Sequence, residues 1–393
     1  MHVLGHLSVE EFLRDYWQKK PVLIRNAWPD FDPLLPADEL AGLSLEAEIE
    51  SRLIIEDGIP GDKGDGKNGD PWQLKCGPFT EDDFRALPEN KWTLLIQGVD
   101  HWIPEAAELL EHFRFIPSWR IDDLMISYAV DGGNVGPHYD QYDVFLLQAE
   151  GQREWSIGQM CDDQSPFIKG PQIRVLEEFN ETDSWVLNPG DMLYLPPQLA
   201  HHGIARGECM TYSIGFRAPS QLELAQATLD EILVSANEDQ RYQDSDLQPL
   251  ESPGLIDSQA AQRLRNTLKA ALEDDAVCQR ILGKLMTEAK YPEHQPDAQE
   301  EPEWSQLCEL FTATDHINKS EFSRFAYSQN TQSCEFFFQG SHTELPLNDL
   351  PLITYLSDYG HYETDKLIEM ATTNSGRSLL QTLWSQQLLY SEE

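Results

Sequence analysis

Residues 124–157 read LMISYAVDGGNVGPHYDQYDVFLLQAEGQREWSI, in which short β-prone runs alternate with glycine-containing turns. The alternation continues to residue 216 through three further runs, SWVL (184–187), MLYLP (192–196) and MTYSIGF (210–216). No helical stretch of useful length lies between these runs, which excludes a βαβ pattern. The region is therefore predicted to form a closed or sandwiched antiparallel barrel.

The segments on either side of this predicted barrel have helical patterns. From Ser8, the sequence SVEEFLRDYWQKKPVLIR predicts a capped amphipathic helix followed by a strand. After Phe216, apolar residues recur at helical spacing. Residues 291–303, YPEHQPDAQEEPE, have the proline and acidic content of a linker. The remaining residues, 304–393, mix helical patterns with short strands such as CEFFFQG.

The composition restricts the partners of the protein. The 393 residues include 28 Lys and Arg against 68 Asp and Glu, a net charge of −40. Such a surface repels phosphate backbones and anionic lipid and attracts basic proteins, so we expect neither nucleic acid nor membrane as a partner. The six cysteines contain no CxxC pair, and neither a signal peptide nor a membrane-spanning run is visible. We therefore expect a folded cytoplasmic protein with reduced thiols.

Two motifs bring histidine and aspartate to the predicted barrel. GPHYDQYD (136–143) places His138 and Asp140 at positions i and i+2, which point to the same face of a strand. NPGDMLYLPPQLAHHG (188–203) combines a tight turn, a strand and a histidine at the exit of that strand. Two histidines and one carboxylate form the facial triad of non-haem Fe(II) oxygenases. The alternatives are a surface His-Asp pair and histidines that are hydrogen-bonded within a core.

Four stretches resemble the bacterial ribosomal oxygenases, a branch of the cupin/JmjC 2-oxoglutarate oxygenase family. They are YWQKKPVLIRNA, WRIDDLMISYAVDGGNVGPHYDQYDVFLLQAEGQREW, PGDMLYLPPQLAHHG and YSIGFRAPS. The resemblance implies a mainly β catalytic domain, a double-stranded β-helix of the cupin/JmjC jelly-roll type, at residues 1–218. It further implies an α-helical dimerisation region at 219–290, the linker at 291–303, and a small α/β winged-helix-like C-terminal domain at 304–393.

Carried over to this sequence, the resemblance implies that His138, Asp140 and His201 are the iron ligands and catalytic residues. The cupin-like spacing selects His201 rather than His202, whose side chain should point the opposite way on an extended chain and face outward or line the rim. Cupin motifs usually have glycine at the position of Gln198. A shift of this turn by one residue would bring His202 to the metal instead, so both histidines stay open at this point.

The resemblance also implies a binding site for the cosubstrate 2-oxoglutarate. In the family, a basic residue in a G-x-[RK]-x-W segment holds the distal carboxylate of 2-oxoglutarate, and here this segment is GQREW (151–155). It nominates Arg153, whose guanidinium can bind a carboxylate bidentately. Ser127 and Thr211 occupy further positions that help to hold 2-oxoglutarate in similar proteins. Close relatives can have Asn at the position of Thr211.

The function implied by the resemblance is hydroxylation of an arginine side chain on a large-subunit ribosomal protein, with Fe(II) and 2-oxoglutarate as cofactors. Ribosomal proteins are basic, which fits the acidic composition. The C-terminal residues 301–393 have 14 acidic and 4 basic side chains, which argues against direct nucleic-acid binding there. We expect a homodimer. Two alternatives remain: a histidine hydroxylase of the same chemistry, and a non-enzymatic cupin-fold interaction scaffold.

Overall fold

The computed structural model describes residues 3–56, 72–169, 172–235, 239, 241–249, 252 and 254–391. The chain divides into two compact units, Met1–Ala218 and Pro219–Glu393. The further subdivision of the second unit into a helical region, a linker and a C-terminal domain stays a prediction. None of the helices in the described part of the chain is long and apolar enough to cross a membrane.

Short helices frame the first unit. They are α1 (Val9–Asp15), α2 (Ala37–Leu43), α3 (Glu81–Arg85) and α4 (Pro104–Leu110). The predicted cap at the start of α1 is present, since the Glu11 amide donates to Ser8 Oγ at 3.1 Å. Thr80 and Asp83 form a capping box at the start of α3. These caps satisfy amide groups that have no partner inside a helix.

Nine strands form one antiparallel sheet in the first unit. They are β1 (Val22–Ile24), β2 (Ser51–Glu56), β3 (Trp72–Cys76), β4 (Trp92–Ile96), β5 (Ile121–Ala129), β6 (Val144–Met160), β7 (Asp183–Leu187), β8 (Met192–Leu195) and β9 (Leu199–Phe216). The strand order is β1-β8-β6-β9-β5-β4-β2-β3, with β7 paired to β6. The described residues from β5 to β9 contain no helix, which confirms the predicted antiparallel barrel.

The long strands β6 and β9 pair along most of their length and carry the centre of the sheet. The first half of β6 also pairs with β8, and its second half pairs with β7. The register shifts between Gln148 and Glu150 and again between Glu150 and Gln152. Such bulges bend a strand and raise its twist. These bends allow β6 and β9 to pair with each other in both halves of the barrel.

The two faces of β6 pack against different partners because side chains alternate along a strand. Phe145 and Leu147 belong to the core that the sheet forms with the N-terminal helices, where the Phe12 ring lies 4.9 Å from the Tyr194 ring, edge to face. Val144 points to the opposite face and lines the interior of the barrel. Burial of each large side chain in this core contributes about 1.5–3 kcal/mol to stability.

The second unit contains helices and two small sheets. Its helices are α5 (Gln221–Ser235), α6 (Ser258–Ala270), α7 (Asp275–Thr287), α8 (Trp304–Thr312), α9 (Leu350–Asp358), α10 (Thr364–Met370) and α11 (Asn374–Ser385). Its strands are β10 (His316–Lys319), β11 (Phe325–Gln329), β12 (Ser333–Phe338), β13 (Ser341–Pro346), β14 (His361–Glu363) and β15 (Leu389–Tyr390). The antiparallel sheets are β14-β10-β15 and β11-β12-β13. This mixture confirms the expected α/β content of the tail.

Candidate active site

The backbone brings His138 and His201 side by side. The His138 amide donates to the His201 carbonyl oxygen at 3.0 Å, and the His201 amide donates to the His138 carbonyl oxygen at 2.8 Å. This isolated antiparallel bridge joins the start of β9 to the segment before β6. The two imidazole centroids are 4.2 Å apart. Main-chain register, rather than the reach of flexible side chains, therefore sets the spacing of the two rings.

The imidazole nitrogens have defined roles. His138 Nδ1 lies 2.9 Å from the Gly136 carbonyl oxygen, and His201 Nδ1 lies 2.9 Å from the Leu199 carbonyl oxygen. Because a carbonyl oxygen only accepts, each Nδ1 donates to it, which leaves Nε2 as the nitrogen of each ring that can bind a metal ion. An Asp140 carboxylate oxygen lies 3.7 Å from His201 Nε2. One ligand atom from each of the three side chains lies within 4.8 Å of the others.

The protonation of His201 suits metal binding. The side chain is almost completely buried, and burial together with the neighbouring His138 lowers its pKa to about 4. The imidazole is therefore neutral at physiological pH, the form in which histidine binds metal ions. In the described residues, His138, Asp140 and His201 are the only group of three or more potential metal ligands that converge in this way.

His202 points away from this group. Its Nε2 lies 3.1 Å from Asn134 Oδ1, and its ring lies edge-on to Phe179 at a centroid distance of 6.1 Å. Burial, followed by the nearby His138, lowers the pKa of His202 to about 4. The alternation of side chains along β9 therefore brings His201 and not His202 to Asp140.

The turn before His201 keeps the conformation that glycine usually provides. Gln198 has a φ of 67°, in the left-handed region. Its amide donates to the Asp140 carbonyl oxygen at 2.7 Å, and its carbonyl oxygen accepts from the Cys161 amide at 2.7 Å. These two hydrogen bonds hold Gln198 in a backbone conformation that is costly for a residue with a Cβ. The departure from glycine changes the residue at this position without shifting the turn.

Arg153 lies on the wall of a pocket of about 80 Å³ that the three potential ligands also line. The residue is 3% exposed, and its Nε and Nη2 atoms are buried without a hydrogen-bond partner in the described part of the chain. Its guanidinium carbon lies 5.7 Å from the Trp155 ring centroid. Because a buried unpartnered charge is costly, such a group marks a position where an anion binds.

Ser127 and Thr211 are cross-strand partners on β5 and β9, but they differ in position. Ser127 lines the same pocket as Arg153, and its hydroxyl donates to the Thr211 carbonyl oxygen at 3.3 Å. The Thr211 hydroxyl is buried and donates to Gln148 Oε1 at 3.2 Å. Thr211 is not among the residues that line the pocket. The structure thus brings Ser127, and not the Thr211 hydroxyl, to Arg153.

Sequence reasoning missed Asp123, which lines this pocket and is 4% exposed. One carboxylate oxygen of Asp123 accepts from Gln97 Nε2 at 2.6 Å and from the Gly98 amide at 3.1 Å. Gln97 Oε1 in turn accepts from Arg52 Nη2 at 2.9 Å. The sequence contained a signal for Asp123: side chains alternate along a strand, so Asp123 lies on the same face of β5 as Ser127.

A larger cavity of about 470 Å³ opens beside His138 and Asp140. Tyr142 lines both this cavity and the smaller pocket. The Asp140 carboxylate, then burial, then Asp123 and Asp122 raise the pKa of Tyr142 well above its usual range. The tyrosine hydroxyl therefore stays protonated in a region of negative potential.

Comparisons with known proteins identify the family of this chain. A family model described as the JmjC domain matches residues 108–224. The ribosomal protein uL16 3-hydroxylase of Escherichia coli is 37% identical over 300 residues, which cover 74% of this chain and 76% of that protein. The chain belongs to the ribosomal oxygenases of the JmjC family. A probable ribosomal oxygenase of Haemophilus influenzae is 41% identical over 55% of this chain and 51% of that protein.

The fold of a solved ribosomal oxygenase matches the whole chain. The structure of YcfD, a ribosomal oxygenase from Escherichia coli, in complex with cobalt and 2-oxoglutarate has a TM-score of 0.82. Its sequence is 28% identical, and the match covers 99% of both chains. This likeness confirms the predicted fold class, a JmjC/cupin jelly roll with helices and an additional C-terminal domain. JmjC oxygenases use Fe(II) and 2-oxoglutarate, which confirms the cofactors expected from the sequence.

Proposed function

We propose that this JmjC ribosomal oxygenase hydroxylates an arginine side chain of the large-subunit ribosomal protein uL16. The proposal rests on one pocket, whose wall contains three potential metal ligands and a buried guanidinium without a hydrogen-bond partner among the described residues. The potential ligands are His138, Asp140 and His201, and the guanidinium is that of Arg153. The protein substrate is suggested by the Escherichia coli relative, which is named as a hydroxylase of uL16.

We assign His138, Asp140 and His201 as the iron ligands. Two imidazoles and one carboxylate are the donor set of a facial triad, which leaves adjacent coordination positions open. The hydrogen bonds from each Nδ1 to a carbonyl oxygen fix the ring orientations and leave each Nε2 available. The donor set and its supporting hydrogen bonds therefore fit a divalent iron ion.

We assign Arg153 and Ser127 to the binding of 2-oxoglutarate. The distal carboxylate of 2-oxoglutarate would give the guanidinium the partner that the protein itself does not supply. Thr211 is left out of this assignment because its hydroxyl donates to Gln148. When bound, Fe(II) and 2-oxoglutarate supply O₂ activation and the hydroxylation of an unactivated C–H bond, with succinate and CO₂ as coproducts. The side chains of the pocket orient the cosubstrate and exclude water.

We favour arginine as the hydroxylated residue because acidic side chains line part of the site. Asp123 lies on the pocket wall, where two donors hold its carboxylate in place. Besides Asp140, whose charge a bound metal ion would balance, Asp123 and Asp122 contribute to the negative potential that raises the pKa of Tyr142. A guanidinium is always charged at physiological pH, whereas an unperturbed imidazole is mostly neutral. A buried carboxylate therefore discriminates in favour of arginine over histidine.

The charge of the protein supports a basic protein partner. A net charge of −40 accelerates the association of basic ribosomal proteins and orients their approach. The same charge opposes direct contact with nucleic-acid phosphates. We therefore propose that the substrate is bound as a protein, without direct contact between this chain and ribosomal RNA.

We also propose that a second copy of the chain covers the exposed leucines of the second unit. Leu222, Leu229 and Leu233 on α5 and Leu264 and Leu268 on α6 are each more than half exposed. Leu264 and Leu268 are four residues apart and share one face of α6. Exposed leucines that recur on one face of a helix mark an interface. Light scattering at micromolar concentration should give the mass of a dimer, and Leu264→Lys with Leu268→Lys should give the monomer; a monomeric native protein would contradict the proposal.

Turnover on isolated ribosomal proteins tests the proposed function. The native protein is incubated with Fe(II), 2-oxoglutarate and uL16, and tandem mass spectrometry locates any added oxygen. We expect stoichiometric succinate and a mass increase on one arginine. Oxygen on a histidine would replace the arginine assignment with the histidine alternative. Tight binding of uL16 without succinate or oxygen transfer would instead favour the non-enzymatic scaffold.

A further inference from the structure

An arginine stands at the mouth of the active-site cavity. Arg174 is exposed and lines the 470 Å³ cavity together with His138 and Asp140. Its guanidinium carbon lies 4.3 Å from the ring centroid of Phe167 and 5.9 Å from that of Tyr139. Tyr139 is the residue between the two proposed ligands His138 and Asp140, so the segment that carries these ligands also supplies part of the aromatic surface beneath Arg174.

The aromatic surface beneath Arg174 is itself fixed. The Tyr139 and Phe167 rings are stacked at a centroid distance of 5.7 Å, and the Tyr139 hydroxyl donates to the Asp162 carbonyl oxygen at 2.7 Å. Phe167 forms an isolated antiparallel bridge with Leu176, whose amide donates to the Pro137 carbonyl oxygen at 2.8 Å. Backbone hydrogen bonds thus connect the segment that carries Arg174 directly to the residue before His138.

Arg174 has no acidic partner within the described part of the chain, where its recorded contacts are the two aromatic rings. Acidic residues outnumber basic residues in this protein by 68 to 28. The other arginine of the cavity, Arg52, donates to Gln97 and lies 3.7 Å from Glu50. Stacking occupies a face of the guanidinium and leaves the N–H donors at its edge available. Arg174 is therefore a preorganised donor for which the residues that the structure describes supply no acceptor.

We infer that Arg174 is a specificity-determining residue that binds an oxygen acceptor of the substrate protein beside the hydroxylated residue. The inference rests on the proposed function. The acceptor is a side-chain carboxylate or a main-chain carbonyl, since a guanidinium binds both through the same N–H groups. The target side chain extends inward toward Asp123, and its flanking residues remain at the mouth near Arg174. The Asp123 carboxylate in the smaller pocket and the Arg174 guanidinium at the mouth of the cavity together determine which residue of the bound polypeptide enters the site.

Peptide kinetics test this role of Arg174. The substrate is a synthetic peptide spanning the oxidised residue that mass spectrometry locates in uL16. Arg174→Gln should raise the KM for the peptide about tenfold, the change that corresponds to loss of one charge-assisted hydrogen bond, and should leave the KM for 2-oxoglutarate unchanged. Arg174→Lys should restore only part of the affinity, because the ammonium lacks the planar stacked fork.

A matched control separates local contact from overall charge. Arg85 is an exposed arginine on α3 that pairs with Glu81 and Asp82, outside the cavity. Arg85→Gln changes the net charge by the same amount and should leave the KM for the peptide unchanged. Equal peptide KM values for the native protein and Arg174→Gln would overturn the inference.

A second peptide distinguishes the two acceptors. In it, every acidic residue is replaced by the corresponding amide. If a carboxylate is the acceptor, this change raises the KM of the native protein and has little effect on Arg174→Gln. If a main-chain carbonyl is the acceptor, both peptides behave alike and the Arg174→Gln effect persists on each. Absence of any hydroxylation by the native protein would overturn the proposed function, and this inference with it.

Discussion

The imidazole of His202 donates from Nε2 to Asn134 Oδ1 at 3.1 Å. The same oxygen accepts from the Gly136 amide at 2.9 Å. Gly136 in turn supplies the carbonyl oxygen that orients His138. The histidine that faces away from the proposed metal centre therefore holds the loop that presents one of its ligands.

Removal of the Asn134 side chain should weaken metal binding. Its Nδ2 also donates to Glu56 Oε2 at 2.8 Å and to the Gly132 carbonyl oxygen at 3.0 Å, so Asn134→Ala removes all of these hydrogen bonds of the Asn134 side chain to the loop and to β2. We expect the dissociation constant for Co(II), measured by anaerobic titration, to rise about tenfold. Asn180→Ala, on an exposed residue of the same unit, is the control. Equal Co(II) affinity in both variants would show that the loop does not depend on this amide.

The two adjacent histidines should respond differently to substitution. His201→Ala removes a proposed ligand, and because two ligands hold Fe(II) weakly, metal-dependent succinate formation should be lost. His202→Ala removes only the support of the loop and should retain bound iron and a measurable rate. Iron titration and single-turnover kinetics on both variants test the assignment. The reverse pattern would make His202 the ligand and leave the class of enzyme unchanged.

Replacement of Arg153 should affect the cosubstrate more than the metal. Arg153→Met keeps much of the side-chain volume and removes the guanidinium, so a bound 2-oxoglutarate carboxylate would lose its charge partner. We expect the KM for 2-oxoglutarate to rise well over tenfold, corresponding to a loss on the order of a few kcal/mol. Iron binding should persist. A cosubstrate dependence equal to that of the native protein would exclude Arg153 as the carboxylate-binding residue.

The Asp191 carboxylate should contribute to stability in a pH-dependent way. Burial raises its pKa, but the Asn188 and Asn26 amides and the Arg25 guanidinium outweigh this effect, so that its pKa lies below the usual range. A group whose pKa is lower in the folded state stabilises fully above its unfolded pKa and loses this contribution as the pH falls through the folded value.

Asp191→Asn should therefore lower the free energy of unfolding at pH 7 by about 2 kcal/mol. The difference from the native protein should begin to shrink below about pH 4, where the Asp191 carboxyl of the unfolded chain becomes protonated, and should vanish only below the lower pKa of the folded state. Urea unfolding at a series of pH values measures this difference. A difference that is constant from pH 7 to pH 3 would mean that the charge of Asp191 is unimportant and that only its shape matters.

Local patterns predicted the barrel and the alternation that separates His201 from His202, whereas the choice of His201 as a ligand came from the family resemblance. His138 and Asp140 lie in the segment between β5 and β6 and not on a strand, and a backbone bridge to His201 positions His138 there. The conformation of Gln198 was not predictable in this way. Its positive φ depends on hydrogen bonds to Asp140 and Cys161, which are distant in sequence.

The substrate side of the cavity depends on tertiary structure. Arg174 reaches the cavity only because Leu176 pairs with Phe167 and hydrogen-bonds to Pro137. The helical pattern of α5 and α6 was likewise insufficient to predict what packs against these helices. Leucine spacing such as that of Leu264 and Leu268 predicts an apolar face but does not reveal whether that face is covered within the chain or by another one.

The reciprocal backbone bridge between His138 and His201 has a consequence for the choice of metal. Since hydrogen bonds of the main chain hold the rings together, the two imidazoles do not need the ion to bring them together, although a bound ion still stabilises the folded state. A rigid set of two imidazoles and one carboxylate binds zinc and copper more tightly than Fe(II), following the general order of divalent affinities. The fraction of the protein that holds iron therefore depends on the concentrations of competing ions around it. The specific activity of a preparation consequently reflects the ions to which the protein has been exposed.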